Sequence, residues 1–424
     1  NKWDLDAVVI GKVVEGDRLK IVHNGKLEAD LPVLALTDEA PKYERPMASE
    51  SPKSRVPSPN SGSQGTNMGE GTRDLGEALK TLLGSPNICS KQWVYEQYDT
   101  MVRTNTAVLP GADAAVIRVK ETRRAIAMCL DGPARYVTVN AKEGAKLAVA
   151  EAARNVVCVG ALPIAVTNCL NFASPERPEV MRSFSDVIDG IKEACETFET
   201  PVVSGNVSFY NETEGHGILP TPTIGMVGLI EDTRKIVTHG FKNEGDVIAL
   251  LGITNDDLSV SEYAQAIAGK TIDDMKASGS VPVIDLALEK LVQETCLKLI
   301  EAGLLLSAHD CADGGLAVAI SESCFSSLGR GAIGAEIEIS SASISEDALL
   351  FGESPSRIVM SFVREKLQQV RSLVSNCPFE ILGRATGSDL IINIDGSVKI
   401  STPVSALESS WANSLGTQLN NSKP

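Results

Sequence analysis

The chain has 424 residues, 43% of them hydrophobic, and a net charge of −16, with an isoelectric point near 4.9. That length exceeds a single core and predicts at least two domains. The acidic balance excludes nucleic acid and anionic membrane as main partners, and no apolar run approaches the roughly 20 residues of a membrane span.

The opening residues lack the charged-then-apolar pattern of a signal peptide. Nine scattered cysteines form no C-x-x-C pair, which predicts reduced thiols in a cytoplasmic protein. His23, His216, His239 and His309 do not cluster with them, so no zinc site is expected. Anionic ligands must then be held by helix N-termini, backbone amides and Mg²⁺.

The first element is a hairpin that recurs near the end of the chain. Residues 10–36 read I-G-K-V-V-E-G-D-R-L-K-I-V-H-N-G-K-L-E-A-D-L-P-V-L-A-L, and residues 382–407 read L-G-R-A-T-G-S-D-L-I-I-N-I-D-G-S-V-K-I-S-T-P-V-S-A-L. Gly11 matches Gly383 and Asp17 matches Asp389 at an offset of 372; Gly25–Gly396, Pro32–Pro403 and Leu36–Leu407 match at 371. Asn24-Gly25 and Asp395-Gly396 are hairpin turns. The near-constant register predicts a duplicated unit. Residues 1–45 are then the tail of the first copy and 85–411 nearly all of the second, so about half of the parent protein lies outside this chain.

Residues 47–71, rich in Ser, Pro, Gly and Asn, predict a disordered linker, drawn as 46–84. Strands are expected at 115–119 and 125–129. A helix follows at 142–157, with Ala145, Ala148, Val149, Ala152 and Val156 on one face. A second spans 178–198, with the stripe Phe184, Val187, Ile191, Ala194 and Phe198. Strands follow at 202–208, 222–230 and 247–252, then a helix at 286–302 capped by Asp285, then strands at 332–339 and 357–363. The order is α/β (α+β) without strict β-α-β alternation. Subdomains are expected at 85–240 and 241–412, divided near 238–246, with a disordered tail at 413–424.

The most informative stretch is 200–212, T-P-V-V-S-G-N-V-S-F-Y-N-E. A β-branched run ends abruptly at Ser204-Gly205-Asn206. Glycine admits close backbone approach, Asn206 offers a hard oxygen suited to Mg²⁺, and Ser208 offers a hydroxyl. Such a strand end suits a Mg·nucleotide site. The same residues make ordinary turns, and local chemistry leaves both readings open.

This stretch resembles the signature of phosphoribosylformylglycinamidine synthase (FGAM synthase) of the small synthetase-subunit type. I-C-S-K-Q-W-V-Y-E-Q-Y-D at 88–99, E-G-A-K-L-A-V-A-E-A-A-R-N at 143–155, V-T-N-C-L-N-F-A-S-P-E-R-P-E at 166–179 and S-A-H-D-C-A-D-G-G-L-A-V-A at 307–319 carry the same likeness. It covers most of 1–45 and 85–411 and implies a two-subdomain unit of the aminoimidazole-ribonucleotide-synthetase-like superfamily. It also implies a ligase of purine biosynthesis, which uses Mg·ATP to activate the amide oxygen of formylglycinamide ribonucleotide (FGAR) as an iminophosphate before ammonia displaces phosphate.

By this resemblance Asn168 and Gly205 contact ATP, Asn206 ligates Mg²⁺ and Ser208 contacts FGAR. Asp113, Asp131, Asp310 and Glu353 belong to a pseudo-symmetric auxiliary site. Asn168 stands where the family has aspartate, Ala173 where it has glycine, and Pro355 where it has glutamine. The family's catalytic histidines lie in the half outside this chain. No glutaminase nucleophile is recognisable, so the implied partners are a separate glutaminase subunit, a small bridging subunit and the absent N-terminal half.

Read without the family, His309, Asp310 and Asp313 fit a metal or acid–base site, or a buried imidazole beside an aspartate capping the helix at Gly314. Asp113 fits a second nucleotide or a plain turn. A selenophosphate synthetase or thiamine-phosphate kinase relative, and a nucleotide-binding scaffold without turnover, are the alternative functions.

Overall fold

The computed structural model describes residues 6–49, 74–327, 329–341 and 344–421. It divides into two compact units, Asn1–Pro46 and Met47–Pro424. In the first, β1 (Arg18–His23) and β2 (Lys26–Pro32) pair antiparallel. Asn24 and Gly25 at the turn have φ of 50° and 77°, the left-handed pair of a type I′ turn.

The first helix of the second unit among the described residues is α1 (Leu75–Leu83), within the expected linker. Asp74 caps it, accepting from Gly76 N at 2.9 Å and Glu77 N at 3.2 Å. Leu79, Leu82 and Leu83 are fully buried, so residues 75–83 are core rather than linker. The expected disorder at 50–73 lies outside the described residues.

The first sheet joins β3 (Thr106–Val108), β4 (Ala115–Arg118), β5 (Ala125–Asp131), β6 (Leu162–Asn171), β7 (Val202–Ser208) and β10 (Thr221–Ile230) in the order β3-β4-β5-β10-β6-β7. Only β6 and β7 run parallel. Helices α2 (Ala134–Val139), α3 (Ala141–Cys158) and α4 (Pro178–Phe198) accompany it. Asn140 caps α3 by accepting from Glu143 N at 3.2 Å. The expected stripes face inward: Ala145, Ala148, Val149, Ala152 and Val156 of α3 and Val187, Ile191 and Ala194 of α4 are buried. Along β5, Ala125 and Ala127 join this core while Ile126, Met128 and Leu130 stand exposed. One face of the sheet is therefore covered and the other open. A two-strand ribbon, β8 (Glu212–Thr213) with β9 (His216–Gly217), connects β7 to β10.

The second sheet orders β12 (Ser307–Asp310), β14 (Ile358–Phe362), β11 (Val247–Leu251), β15 (Phe379–Ala385), β13 (Ala335–Ile339), β16 (Asp389–Ile394) and β17 (Ser397–Pro403) as β12-β14-β11-β15-β13-β16-β17. Both faces of its centre are covered. Val247, Ala249 and Leu251 pack with α7 (Leu286–Glu301) and α10 (Leu367–Val374), whereas Ile248 and Leu250 pack with α1 and α8 (Gly315–Cys324). That explains the uninterrupted apolar run of β11. Asp285 caps α7, accepting from Ala287 N at 2.9 Å and Leu288 N at 3.1 Å. Shorter helices α5 (Glu262–Ala266), α6 (Ile272–Ser278) and α9 (Glu346–Phe351) line the edges. Helix α11 (Val404–Asn421) runs through the residues expected as a disordered tail up to 421. It touches α1: Ser414 Oγ donates to Gly84 O at 2.5 Å.

The hairpin β16–β17 repeats β1–β2 residue for residue. Arg18 pairs with Pro32 and Asp389 with Pro403, and the ladders shift register after Ile21 and after Ile392. Asp395 and Gly396 have φ of 49° and 75°. Val33 N donates to Asp17 O at 2.7 Å, as Val404 N does to Ser388 O at 2.9 Å. Asp17 thus corresponds to Ser388, not Asp389. The offset is 371 across the whole hairpin, and no residue is lost inside it.

Candidate functional site

β7 is the edge strand of the first sheet and is exposed from Val202 to Val207. Its alternation sorts the four expected ligand residues onto two faces. Asn206 and Ser208 share the open face, where Asn206 Nδ2 donates to Ser208 Oγ at 3.1 Å. Asn206 Oδ1 makes no hydrogen bond among the described residues. Asn168 and Gly205 are cross-strand neighbours on the other face, beside the buried Val166 and Leu170. A Cβ on Gly205 would lie 2.3 Å from Asn168 Oδ1 and 2.9 Å from Asn168 O. The glycine is required there by the asparagine, whatever ligand either one meets.

The loops leaving β6 and β7 are tied together. Glu212 Oε1 accepts from Ser174 N at 3.0 Å and pairs with Arg177 Nη2 at 3.1 Å; that Nη2 also donates to Gly215 O at 3.0 Å. Beneath them Phe172, Phe184 and Phe209 form a cluster with ring centroids 5.1 to 6.2 Å apart.

A second constellation lies between the two sheets. A cavity of about 880 Å³ is lined by Asp113, Asp131, Asn155, His239, His309 and Glu322 among others. His309 Nδ1 is 2.9 Å from Asp113 Oδ1 and Nε2 is 3.1 Å from Glu322 Oε2. Burial works against its charge, but Asp113 and Glu322 outweigh it and hold the imidazole pKa well above its usual value, so the ring donates at both nitrogens. His239, at 5.3 Å between ring centroids, is pushed down to about 4 by burial and by His309 and stays neutral. Asp113 Oδ2 and His239 Nδ1 are buried without hydrogen-bond partners. Burial and the neighbouring Asp310 push Asp131 up to about 7.

The other two auxiliary candidates are held by the protein itself. Asp310 Oδ1 accepts from Arg154 Nε at 2.5 Å, and Arg154 Nη1 donates to Glu289 Oε2 at 2.8 Å. This buried arginine joins α3 of the first sheet to β12 and α7 of the second. Glu353 Oε1 accepts from Glu262 N and from Gly314 N, each at 2.8 Å, and Tyr136 donates its hydroxyl to Oε2. It thereby satisfies the first turns of α5 and α8. Burial and Asp313 push it up to about 7.

Residues 111–230 match the family described as AIR synthase related protein, N-terminal domain. Residues 243–394 match AIR synthase related protein, C-terminal domain. The chain belongs to the AIR synthase related family. It is similar to the phosphoribosylformylglycinamidine synthase subunit PurL of Anaeromyxobacter sp. strain Fw109-5, 46% identical over 423 residues that span 97% of this chain and 53% of the relative. The PurL subunit of Moorella thermoacetica is 41% identical over 424 residues, 98% of this chain and 55% of the relative. The chain spans about half the length of these curated relatives. Among solved structures, T. maritima PurL complexed with FGAR matches with a TM-score of 0.64 at 18% identity, over 78% of this chain and 53% of that one. The same protein complexed with ATP matches at 0.60 and 17%, over 78% and 51%. At that identity the likeness establishes the fold.

In this family member the expected auxiliary set divides. Asp113 and Asp131 line the cavity; Asp310 turns to Arg154, and Glu353 sits at a helix junction. The helix beginning at Gly315 has no side-chain cap, with Gly314 at its N-cap position. Asp313 therefore does not cap it, and the carboxylate on Gly314 N comes from Glu353. His309 is a half-buried imidazole with both ring nitrogens bonded to carboxylates. Among the described residues no group of three or more His, Cys, Asp or Glu side chains is gathered to hold a metal ion, and no helix is long and apolar enough to cross a membrane.

Arg154, Glu322 and His239 were not singled out from the sequence. An arginine inside A-E-A-A-R-N, on an alanine-rich helix, is the available sign of a buried ion pair. His239 carries no local signal.

Proposed function

We propose that this chain forms one wall of the active site of an FGAM synthase, which converts FGAR, ATP and ammonia to FGAM, ADP and phosphate. The reading is carried by Asn206 and Ser208, side by side on an exposed strand with one amide oxygen left unbonded. A hard, neutral oxygen suits Mg²⁺, which usually takes one or two protein ligands and completes its shell with phosphate and water. Mg²⁺ bound there supplies neutralisation of the charge on the phosphates of ATP. Ser208 Oγ accepts from Asn206 and keeps its own hydrogen free to donate to an oxygen of FGAR. Asn168 and Gly205, on the opposite face, meet ATP only where it reaches around the strand edge. Asp113 and Asp131 belong to the separate auxiliary cavity.

The remaining machinery comes from polypeptide beyond this chain. It comprises the acid–base groups, a glutaminase subunit that releases ammonia and a small bridging subunit. The free state of all nine cysteines supports a cytoplasmic setting.

Replacing Asn206 by Ala in the complete enzyme tests the ligand role. The Mg²⁺ concentration for half-maximal ADP release is expected to rise about tenfold, since a charged partner loses one oxygen. An unchanged Mg²⁺ dependence removes Asn206 from the metal.

A further inference from the structure

The position of Ser208 depends on a residue that nothing above assigns. Ser208 ends β7, and the β6–β7 ladder closes there with Phe172 N donating to Ser208 O at 2.9 Å. Beyond it the chain turns back through Tyr210, whose φ is 61°, a conformation that is unusual for a bulky residue. Tyr210 N donates to Ala173 O at 3.2 Å past this point, and one side chain braces the strand ends from within the turn. Asn211 Nδ2 donates to Ser208 O at 2.7 Å and to Phe172 O at 3.1 Å. Asn211 N also donates to Phe172 O, at 3.2 Å, and Asn211 O accepts from Ile218 N at 3.0 Å. The carboxamide acts as an extra rung between the ends of β6 and β7.

We infer that Asn211 is a positioning residue that aims Ser208 at its substrate. The inference rests on the substrate role proposed for Ser208. Ser208 O receives two hydrogen bonds, so the peptide plane after Ser208 is fixed and with it the backbone from which the Cα–Cβ bond projects; the bond from Asn206 Nδ2 then sets the hydroxyl oxygen. Two donors are needed for two carbonyls. Only a carboxamide supplies both from one short stem. Aspartate has the same shape but places acceptors against both carbonyls. Serine retains one donor.

The experiment is steady-state kinetics of the complete enzyme with ammonia as nitrogen donor, on N211A, N211D, N211S, S208A and S208A/N211A. Melting temperatures are recorded for each. A positioning role predicts that N211A and N211D raise KM for FGAR about tenfold while kcat and KM for ATP change less than about threefold. N211S is expected to fall between them and wild type. The double variant is expected to be no worse than S208A, because removing the hydroxyl removes what Asn211 positions.

A purely structural role would instead lower the melting temperature and affect both substrates alike. If N211A or N211D fails to fold, N211S carries the same comparison. Wild-type FGAR kinetics in a folded Asn211 variant, with S208A impaired, overturns the positioning role alone. Wild-type kinetics in S208A overturns the Ser208 reading and the positioning role with it. Strict additivity in the double variant overturns positioning through Ser208.

Discussion

At the scale of single residues, two carry more strain or charge than their surroundings suggest. Gly205 is one. Alanine normally gains about 0.5–1 kcal/mol over glycine inside a strand. Here its Cβ would meet Asn168 Oδ1 at 2.3 Å and Asn168 O at 2.9 Å, and overpacking of that kind costs about 1–3 kcal/mol. The clash prevails, so G205A is expected to destabilise, and G205A/N168A to recover only part because the backbone oxygen stays. Urea denaturation of the single and double variants checks this; a neutral G205A would mean that the strand yields. Asp131 is the other. Burial and Asp310 raise it to about 7 in the folded protein, against about 3.9 unfolded. A carboxyl raised on folding favours the native state when protonated, so its contribution is lost as pH rises from about 4 through 7. Replacing Asp131 by Asn keeps an oxygen for Asn155 Nδ2, now 3.1 Å from Asp131 Oδ1, and abolishes the titration. In EDTA, wild type is expected to lose more stability than D131N between pH 5 and pH 8. Parallel pH slopes would show that the carboxyl is already ionised at pH 5.

At the scale of elements, periodicity made most of the second unit legible. The helix expected at 178–198 is α4 residue for residue, and the strand expected at 202–208 is β7. Both have strong signals: a clean apolar stripe, and a β-branched run between proline and a turn. Helix α1 reads as linker in the sequence because a Ser/Pro/Gly-rich stretch precedes it and its nine residues, Leu75–Leu83, are short for a periodic pattern. What holds it is tertiary: Asp74 as cap and three leucines driven into the core of the second sheet. L82A is accordingly expected to cost about 2–5 kcal/mol, the range for emptying a buried leucine site. A linker would tolerate the change, and a guanidinium titration separates the two. The candidate site was half legible. Residue types single out Asn206 and Ser208, and alternate positions of a strand share a face, where the two hydrogen-bond. The same rule, not applied to Gly205, separates it from them. Arg154, with Asp310 and Glu289, and His309, with Asp113, depend on partners more than 100 residues away in sequence, and no local pattern reports such pairing.

At the scale of the whole molecule, the two hairpins settle a question of register that sequence matching left ambiguous. Equal turn conformations, equal ladder shifts and equal closing hydrogen bonds fix the repeat at 371 residues. A repeat unit of that length, in a chain spanning 53% of its PurL relative, fits a protein built from two similar units. The open face of the first sheet agrees with this. Ile126, Met128 and Leu130 of β5 are exposed on the face that carries Asn206 and Ser208, three strands away in the sheet order, an apolar surface of the kind that marks a contact. Phosphoryl transfer needs water excluded and charge stabilised from several directions, whereas an edge strand supplies one direction only. The chain alone is therefore expected to show no FGAR- and ammonia-dependent ADP release. Mixing it with a separately expressed polypeptide carrying the remaining length of a PurL subunit is expected to restore it. Release from the mixture alone establishes a composite site with β7 as one wall. Turnover by the isolated chain would place every catalytic group within these 424 residues, and the acidic cavity around Asp113, Asp131 and His309 would then be the place to look for them.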